Sequence, residues 1–581
     1  MSKNNQKKSK KGLFAVIAGA LGLTALAAHT VKKKKDEEAA APLTLFSDGA
    51  TAFSVVFNHE RDSHRLEKGG AVDYEVQLAK ILSEALEAAT GIPFPLKDDQ
   101  LPEGGDAGEA FEILIGDTSR TESAALRGFL GFNEYGFAVL GNKIVVAGSN
   151  LTSTAYAVKL FTDYVTEHTL TDVLGNKYLT LDADEQQFAT ADEWFVDIPE
   201  FEGGTYRGTH DDDLGALMLH YTDTDADAFR AYREKLEAAG YALWQENEIE
   251  GNLYATYESD KAKVYISFTA CEGAVRIVTA KAGEYHLPVS TPDTGYQKVA
   301  DTTITQLACD YTRHDYGMGY IVVLENGNFV IFDGGDNRNT NTFMDLLYEK
   351  LQALNKRPDG KIVIEGWFIS HNHPDHYGTF VEFCYKYGKE VTILQVLLNT
   401  TSNGYEYNSV SWDRSLQTYM GKISDSVAGG VRFVQVHTGM KINLCNASFE
   451  ILHTTEDLYP QLPFYFNDTS IVWRMFVGGE SSIWLGDLAQ RGSGVMLAKF
   501  GAYLKSDIVQ VSHHGYVGAT VELYDAIDAP IALWPINKVW YDKMIAPEFT
   551  YYKENIEVVK HARENLIAEE DIVLSLPYYN K

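Results

Sequence analysis

"FISHNHPDHYGTF", residues 368–380, places His371, His373, Asp375 and His376 within six positions. The run before it, "KIVIEGW", is almost continuously apolar, the pattern of a strand covered on both faces. In an extended segment side chains alternate with period two, so His371 and His373 point the same way and can share one metal ion. Pro374 ends such a strand. Asp375 and His376 then emerge in another direction, suited to a neighbouring second ion. Imidazole and carboxylate are borderline-to-hard ligands and suit zinc or manganese.

Two further segments of the C-terminal half carry the same residue types in order. "SIWLGD" puts Asp487 at a strand end, and "DIVQVSHHGYVG" is another buried strand that delivers His513 and His514. With the H-x-H-x-D-H spacing of the first segment, this set resembles the metallo-β-lactamase superfamily over residues 298–575. Within it, "NDTSIVWRMFV…SIWLGD…DIVQVSHHG" is most similar to the extracellular domain of competence DNA-uptake proteins and their secreted relatives. The resemblance implies an αββα sandwich and two divalent cations, zinc or manganese. The ligands it implies are His371, His373, Asp375, His376, Asp487 and His514. Asp487 bridges the ions, and Asp375, Asp487 and His513 act in catalysis, His513 as a neighbour that faces substrate. Asp333 is expected to orient the histidines. A water shared by two cations has its pKa lowered to about 7 and attacks a phosphorus or carbonyl centre.

One position departs from the pattern. Many members place a further first-metal histidine before the strand that leads to the G-D pair, whereas this chain has "FNDTSIVW", with Asn467 and Asp468. His437 and His453 lie upstream in strand-like runs and read more readily as satisfied structural histidines than as ligands. Substrate choice is expected in loops such as "NTTSNGYEYNSVSW", residues 399–412. Phosphoester substrates are favoured; lactones, thioesters and β-lactams stay open. The alternative from another class is a surface-anchored binding protein whose metal domain is catalytically weak. A serine hydrolase fails for want of a G-x-S-x-G elbow, since "RGSGV" has the wrong spacing.

At 581 residues the chain is too long for one core. Residues 298–581 form the expected hydrolase domain. Two smaller α+β units precede it, at 42–190 and 200–290. In the first, "YEVQLAKILSEALEAATG" is helical and ends on Gly91, and "YGFAVLGNKIVVAGS" is a hairpin turning at Gly141-Asn142. Its order of elements looks like the small domain that precedes the barrel of some secreted glycoside hydrolases. In the second, "DADAFRAYREKLEAAG" is a helix and "NLYATYES" and "KVYISFTA" are strands. Asp223, Asp225, Asp227 and Glu234 mimic a calcium loop, but Ala228 stands where that loop needs glycine, so helix capping is the better reading. "THDDDLG", His210 to Asp213, reads as a solvated loop. Cys271, Cys309, Cys384 and Cys445 lie far apart and form neither a zinc knuckle nor a disulfide framework.

The net charge is −31, and residues 1–35 hold nine lysines and no acid, so the rest of the chain carries −31 less nine, that is −40. Such a surface repels phosphate backbones, which disfavours a general nucleic-acid binder without excluding a metal-centred nuclease. Residues 1–41 read as an address. An uncharged stretch, Gly12 to Val31, lies between lysine clusters and just suffices to cross a bilayer. A cleaved signal peptide with Ala25-Leu26-Ala27 as its site is the alternative, but lysines after a cleavage site disfavour export. The expectation is a single-pass anchor with extracytoplasmic bulk, or a secreted protein, acting on a cell-surface or extracellular ester or phosphoester. The full-length chain should therefore stay with membranes through a high-salt wash, which strips proteins held by charge alone; a soluble form beginning near Ala28 would show cleavage instead.

Overall fold

The computed structural model describes residues 42–59, 74–100, 108, 110–131, 134–149, 151–190, 198–211, 216–283, 286–308, 318–335, 343–399, 416–459, 466–546, 558 and 561–579. The expected anchor, Cys309, Asp212, Asp213 and nearly all of the 399–412 loop lie outside them. Among the described residues no helix is long and apolar enough to cross a membrane.

Residues 42–190 build a six-stranded sheet whose order is Leu96–Asp98, Ser54–Phe57, Glu112–Ile115, Lys143–Gly148, Glu134–Leu140, Gln186–Thr190. The first four strands run parallel. Helices Tyr74–Thr90 and Leu151–His168 close the core with it through Leu82, Leu86, Val158 and Phe161 against Val55, Phe137 and Val146. Gly91 has φ +78 and ends the first helix in the left-handed conformation that glycine adopts without strain.

The middle segment forms a six-stranded antiparallel sheet from Thr205–Asp211, Ala216–Thr222, Ala274–Lys281, Ala262–Thr269, Asn252–Glu258 and Ala242–Ile249. Two of these six, Asn252–Glu258 and Ala262–Thr269, are the strands expected from the sequence. Ala242–Ile249 is not among them because that strand, "ALWQENEI", is a polar edge with little alternation, and His210 and Asp211, expected in a solvated loop, lie where the backbone is strand. One face of the sheet carries helix Ala226–Ala238, with Phe229, Tyr232 and Leu236 on Tyr257, Val264 and Ile277. The other face does not meet solvent. Met218, Tyr254, Tyr265 and Val278 share a core with Val472, Ile483, Val509 and Trp534 of the C-terminal half. Gly439 permits this contact: a Cβ there would lie 2.2 Å from Cγ of Tyr254.

The C-terminal half holds two facing sheets. The first runs Phe433–Gln435, Val396–Leu398, Ile362–Phe368, Phe329–Asp333, Gly319–Val323, Thr303–Gln306, Ile572–Ser575, with Val391–Ile393 also paired to Ile362–Phe368. The second runs Lys441–Leu444, Ala447–His453, Val472–Val477, Glu480–Trp484, Ile508–Gln510, Ile531–Trp534, Glu564–Ile567. Between them lies a dry layer in which Phe332, Phe368 and Val330 face Phe449, Trp473 and Trp484. Helices Phe343–Leu354 and Pro374–Tyr387 cover the outer face of the first sheet. Gln490–Phe500 and Val521–Ile527 cover that of the second, so the layers read αββα.

The parallel strands Ile362–Phe368, Glu480–Trp484 and Ile508–Gln510 all end at one rim. There Ile471 N–H donates to the Ser370 carbonyl at 2.8 Å and His513 N–H to the Gly486 carbonyl at 3.1 Å, tying the segments together. Polar residues that follow such strand ends are the usual occupants of an α/β site. The Phe332 ring, 4.5 Å from Trp484 and 5.2 Å from Trp473, is the hub of the dry layer. Phe332→Ala should cost about 3–5 kcal/mol, read as a lower denaturant midpoint of the tryptophan-fluorescence transition.

Candidate metal centre

Asp333 organises the opening motif. Its backbone sits at φ +51, it is fully buried, and both carboxylate oxygens are occupied. Oδ1 accepts Ser370 N–H at 2.7 Å, while Oδ2 accepts Ser370 Oγ–H at 2.9 Å and His376 Nδ1–H at 2.8 Å. That bond fixes the ring of His376 and turns its Nε2 toward Asp487 Oδ2, 3.2 Å away. His373 is the N-cap of helix Pro374–Tyr387, and Pro374 opens it at the position where proline's missing N–H costs nothing. Asp375 and His376 therefore lie in the first helical turn. His371 Nε2 and His373 Nδ1 are 2.9 Å apart, and His371 Nε2 is 3.8 Å from Asp487 Oδ2.

The second sheet supplies the other wall. Gln510, a polar residue in a buried strand, accepts the N–H groups of Leu485 and Gly486 at 2.9 and 2.8 Å and so shapes the turn that presents Asp487. His513 and His514 both adopt left-handed backbone, φ +50 and +54, a strained pair for non-glycine residues. Carbonyls hold both rings: His513 Nδ1–H donates to Val517 at 2.7 Å and His514 Nδ1–H to Pro535 at 3.1 Å. Each Nε2 is left facing inward. His514 Nε2 lies 3.5 Å from Asp375 Oδ2 and 3.8 Å from Asp487 Oδ1; His513 Nε2 lies 3.9 Å from Asp487 Oδ2.

Two clusters result. Asp375, His376, Asp487 and His514 form one, and His371, His373 and Asp487 the other, each with its ligand atoms within 4.8 Å of one another. The six expected ligands thus converge, and Asp487 belongs to both groups. His376 Nε2, Asp487 Oδ1 and His514 Nε2 are buried and make no hydrogen bond. Burial without a partner is costly for such atoms, and a divalent cation is the partner that nitrogen and carboxylate donors in this arrangement fit.

Electrostatics divides the histidines. Burial pushes His371 well down and His373 down to about 4, so both are neutral rings with lone pairs to give. For His376 burial acts in the same sense, but the carboxylates of Asp487 and Asp333 outweigh it and raise its pKa; Asp487 and Asp375 raise His514 in the same way. Burial would raise Asp487, yet the flanking histidines hold it well below the usual carboxylate range. A cation entering the second cluster must displace protons from His376 and His514, so its affinity rises with pH.

Other histidines are engaged elsewhere. His437 Nδ1 pairs with Glu456, and its ring stacks on Tyr265 at 4.4 Å. His453 Nε2–H donates to the Asp468 carbonyl at 3.0 Å. Neither belongs to the two clusters described above, although the buried Nδ1 of His453 makes no hydrogen bond and lies 3.6 Å from Asp457. The calcium-like stretch is a cap: Asp225 accepts the N–H groups of Asp227 and Ala228. Ser370, Ser470 and Gln510 were not singled out from the sequence, although a glutamine inside "DIVQV" was a visible signal.

No family model matches the chain, and no curated protein does. Solved structures do. It is similar to the metallo-β-lactamase fold protein YhfI from Bacillus subtilis at 11% identity and TM-score 0.31, over 47% of this chain and 99% of that one. It is similar to a diphosphatase of the PhnP family at 13% identity and TM-score 0.27, over 48% and 100%. CmlA, a diiron β-hydroxylase from Streptomyces venezuelae, aligns at 12% identity and TM-score 0.29, over 49% and 55%. Likenesses this remote decide nothing about chemistry, and function rests on the site itself.

The two adjacent histidines are separable. His514→Ala should lower retained metal, because its Nε2 belongs to a cluster. His513→Ala should spare metal content, measured by elemental analysis after dialysis. The reverse result would exchange their roles.

Proposed function

We propose that this chain is a metal-dependent hydrolase that holds two divalent cations, zinc or manganese, and cleaves a phosphodiester or related ester outside the cytoplasm. The observation that carries the reading is the pair of ligand clusters sharing the buried Asp487. Bound there, two cations would supply Lewis acidity and a water acidified to a pKa of about 7.

The chain's own groups have distinct tasks. Asp487, 1% exposed, is the one carboxylate among the described residues that belongs to both clusters. Asp333 and the Pro535 carbonyl fix the rings of His376 and His514, so little rearrangement is needed on loading. His513 keeps its Nδ1–H on Val517, which leaves the Nε2 lone pair facing the site. It can take a proton from the attacking water and return it to the leaving oxygen. Burial lowers the pKa of His513, which keeps the ring a base at neutral pH.

A phosphoester substrate is supported by the resemblance of the motifs within residues 467–515 to the competence-type motifs, and an extracytoplasmic site by the lysine-flanked stretch 12–31. The full-length chain in detergent, loaded with zinc or manganese, should cleave bis-p-nitrophenyl phosphate in preference to a p-nitrophenyl ester or nitrocefin. Asp487→Ala and His376→Ala should each lower turnover by several orders of magnitude. Undiminished turnover in either variant would end the two-cation mechanism.

A further inference from the structure

The cluster of His371, His373 and Asp487 has one ligand fewer than its neighbour. The sequence offers His437, His453, Asp468 and Asn467 as candidates to complete it, and the side chain of each of the first three has a partner of its own. His437 is paired with Glu456, and His453 donates its Nε2–H to the Asp468 carbonyl. The Asp468 side chain accepts Gly492 N–H at 2.8 Å, where helix Gln490–Phe500 begins. Asn467 is the fourth. It is 1% exposed, and its Oδ1 is buried and makes no hydrogen bond.

Its place in the fold fits a ligand. Asn467 lies in the short turn Phe466–Thr469, closed by Ser470 N–H to the Asn467 carbonyl at 3.1 Å. Directly after the turn, Ser470 Oγ accepts Asp487 N–H at 3.1 Å and Ile471 N–H donates to the Ser370 carbonyl at 2.8 Å. The turn is thus stitched to the segment bearing Asp487 and to the residue before His371. Beneath it, His453 lies 3.6 Å from Asp457, which is anchored by Lys499 at 2.5 Å and Thr438 at 2.6 Å. The turn cannot swing away without breaking this network.

We infer that the side-chain carbonyl of Asn467 is the third protein ligand of the cation held by His371, His373 and Asp487, and that it makes this site the weaker and more oxygen-seeking of the two. An amide oxygen binds zinc less well than imidazole does but suits manganese and magnesium. His453 is a positioning residue for it. The inference rests on the two-cation reading above, yet its test does not need turnover.

The test is titration of the chelator-stripped full-length chain with Mn2+ alone, free ion being followed by its paramagnetic resonance signal. The chain should bind two ions, one at least about tenfold more weakly than the other. Asn467→Ala should weaken only that site, by about 10- to 100-fold, and Asn467→Asp, nearly isosteric, should tighten it. Unchanged affinities in both variants, or loss confined to the tighter site, would overturn the assignment. Two ions bound with this dependence on Asn467 but no ester cleaved would uphold the ligand and remove the hydrolase.

Discussion

The carboxylate of Asp487 is the constraint on which the rest of the centre depends. A buried carboxylate is tolerated only with partners, and here His371, His376, His513 and His514 all approach it within 3.9 Å. Two of these rings follow the strand Ile362–Phe368, inside the first sheet, and two follow Ile508–Gln510 of the second. The spacing of the ligands is therefore set by the distance between sheets, which in turn is set by the packing of Phe332, Trp473 and Trp484. Ring contacts in the dry layer and ligand geometry at the rim are one problem, solved by the same backbone.

How much of this was legible depended on the range over which the signal acts. His371, His373, Asp375 and His376 could be read directly, because strand alternation and a helix-opening proline act within a few residues. The helices and the Gly141-Asn142 turn were equally local. Four of the six strands of the middle sheet were not: Ala242–Ile249, for one, is polar and becomes a strand only because Asn252–Glu258 pairs with it. Nor could the sequence show that Tyr254 and Tyr265 turn away from their own helix to pack on the C-terminal half, since the partner, Gly439, lies far along the chain. The tautomers of His513 and His514 depend on the carbonyls of Val517 and Pro535, which carry no residue signature.

The same reasoning explains why the first site looked incomplete from the sequence. A histidine is conspicuous there, whereas an asparagine offers only a side-chain carbonyl, a weaker donor to zinc, so the sequence points to an under-liganded first site without settling what completes it. In three dimensions the neighbouring candidates prove to be supports: His453 on the Asp468 carbonyl, Asp468 on Gly492, Asp457 on Lys499. Much buried polar structure beneath one short turn is a large investment unless the turn must be held still.

That arrangement also couples metal to fold. His371, His373, Asp375 and His376 follow strands of the first sheet, whereas Asp487 and His514 follow strands of the second, so an ion in either cluster joins the two layers. Asp333 and Asp487 raise the pKa of His376, and Asp375 and Asp487 that of His514, so protons compete with a cation for these two rings. Preorganisation of this kind asks little movement of the ligands on loading, and places the cost of the site in the folding of the sandwich rather than in the reaction it serves.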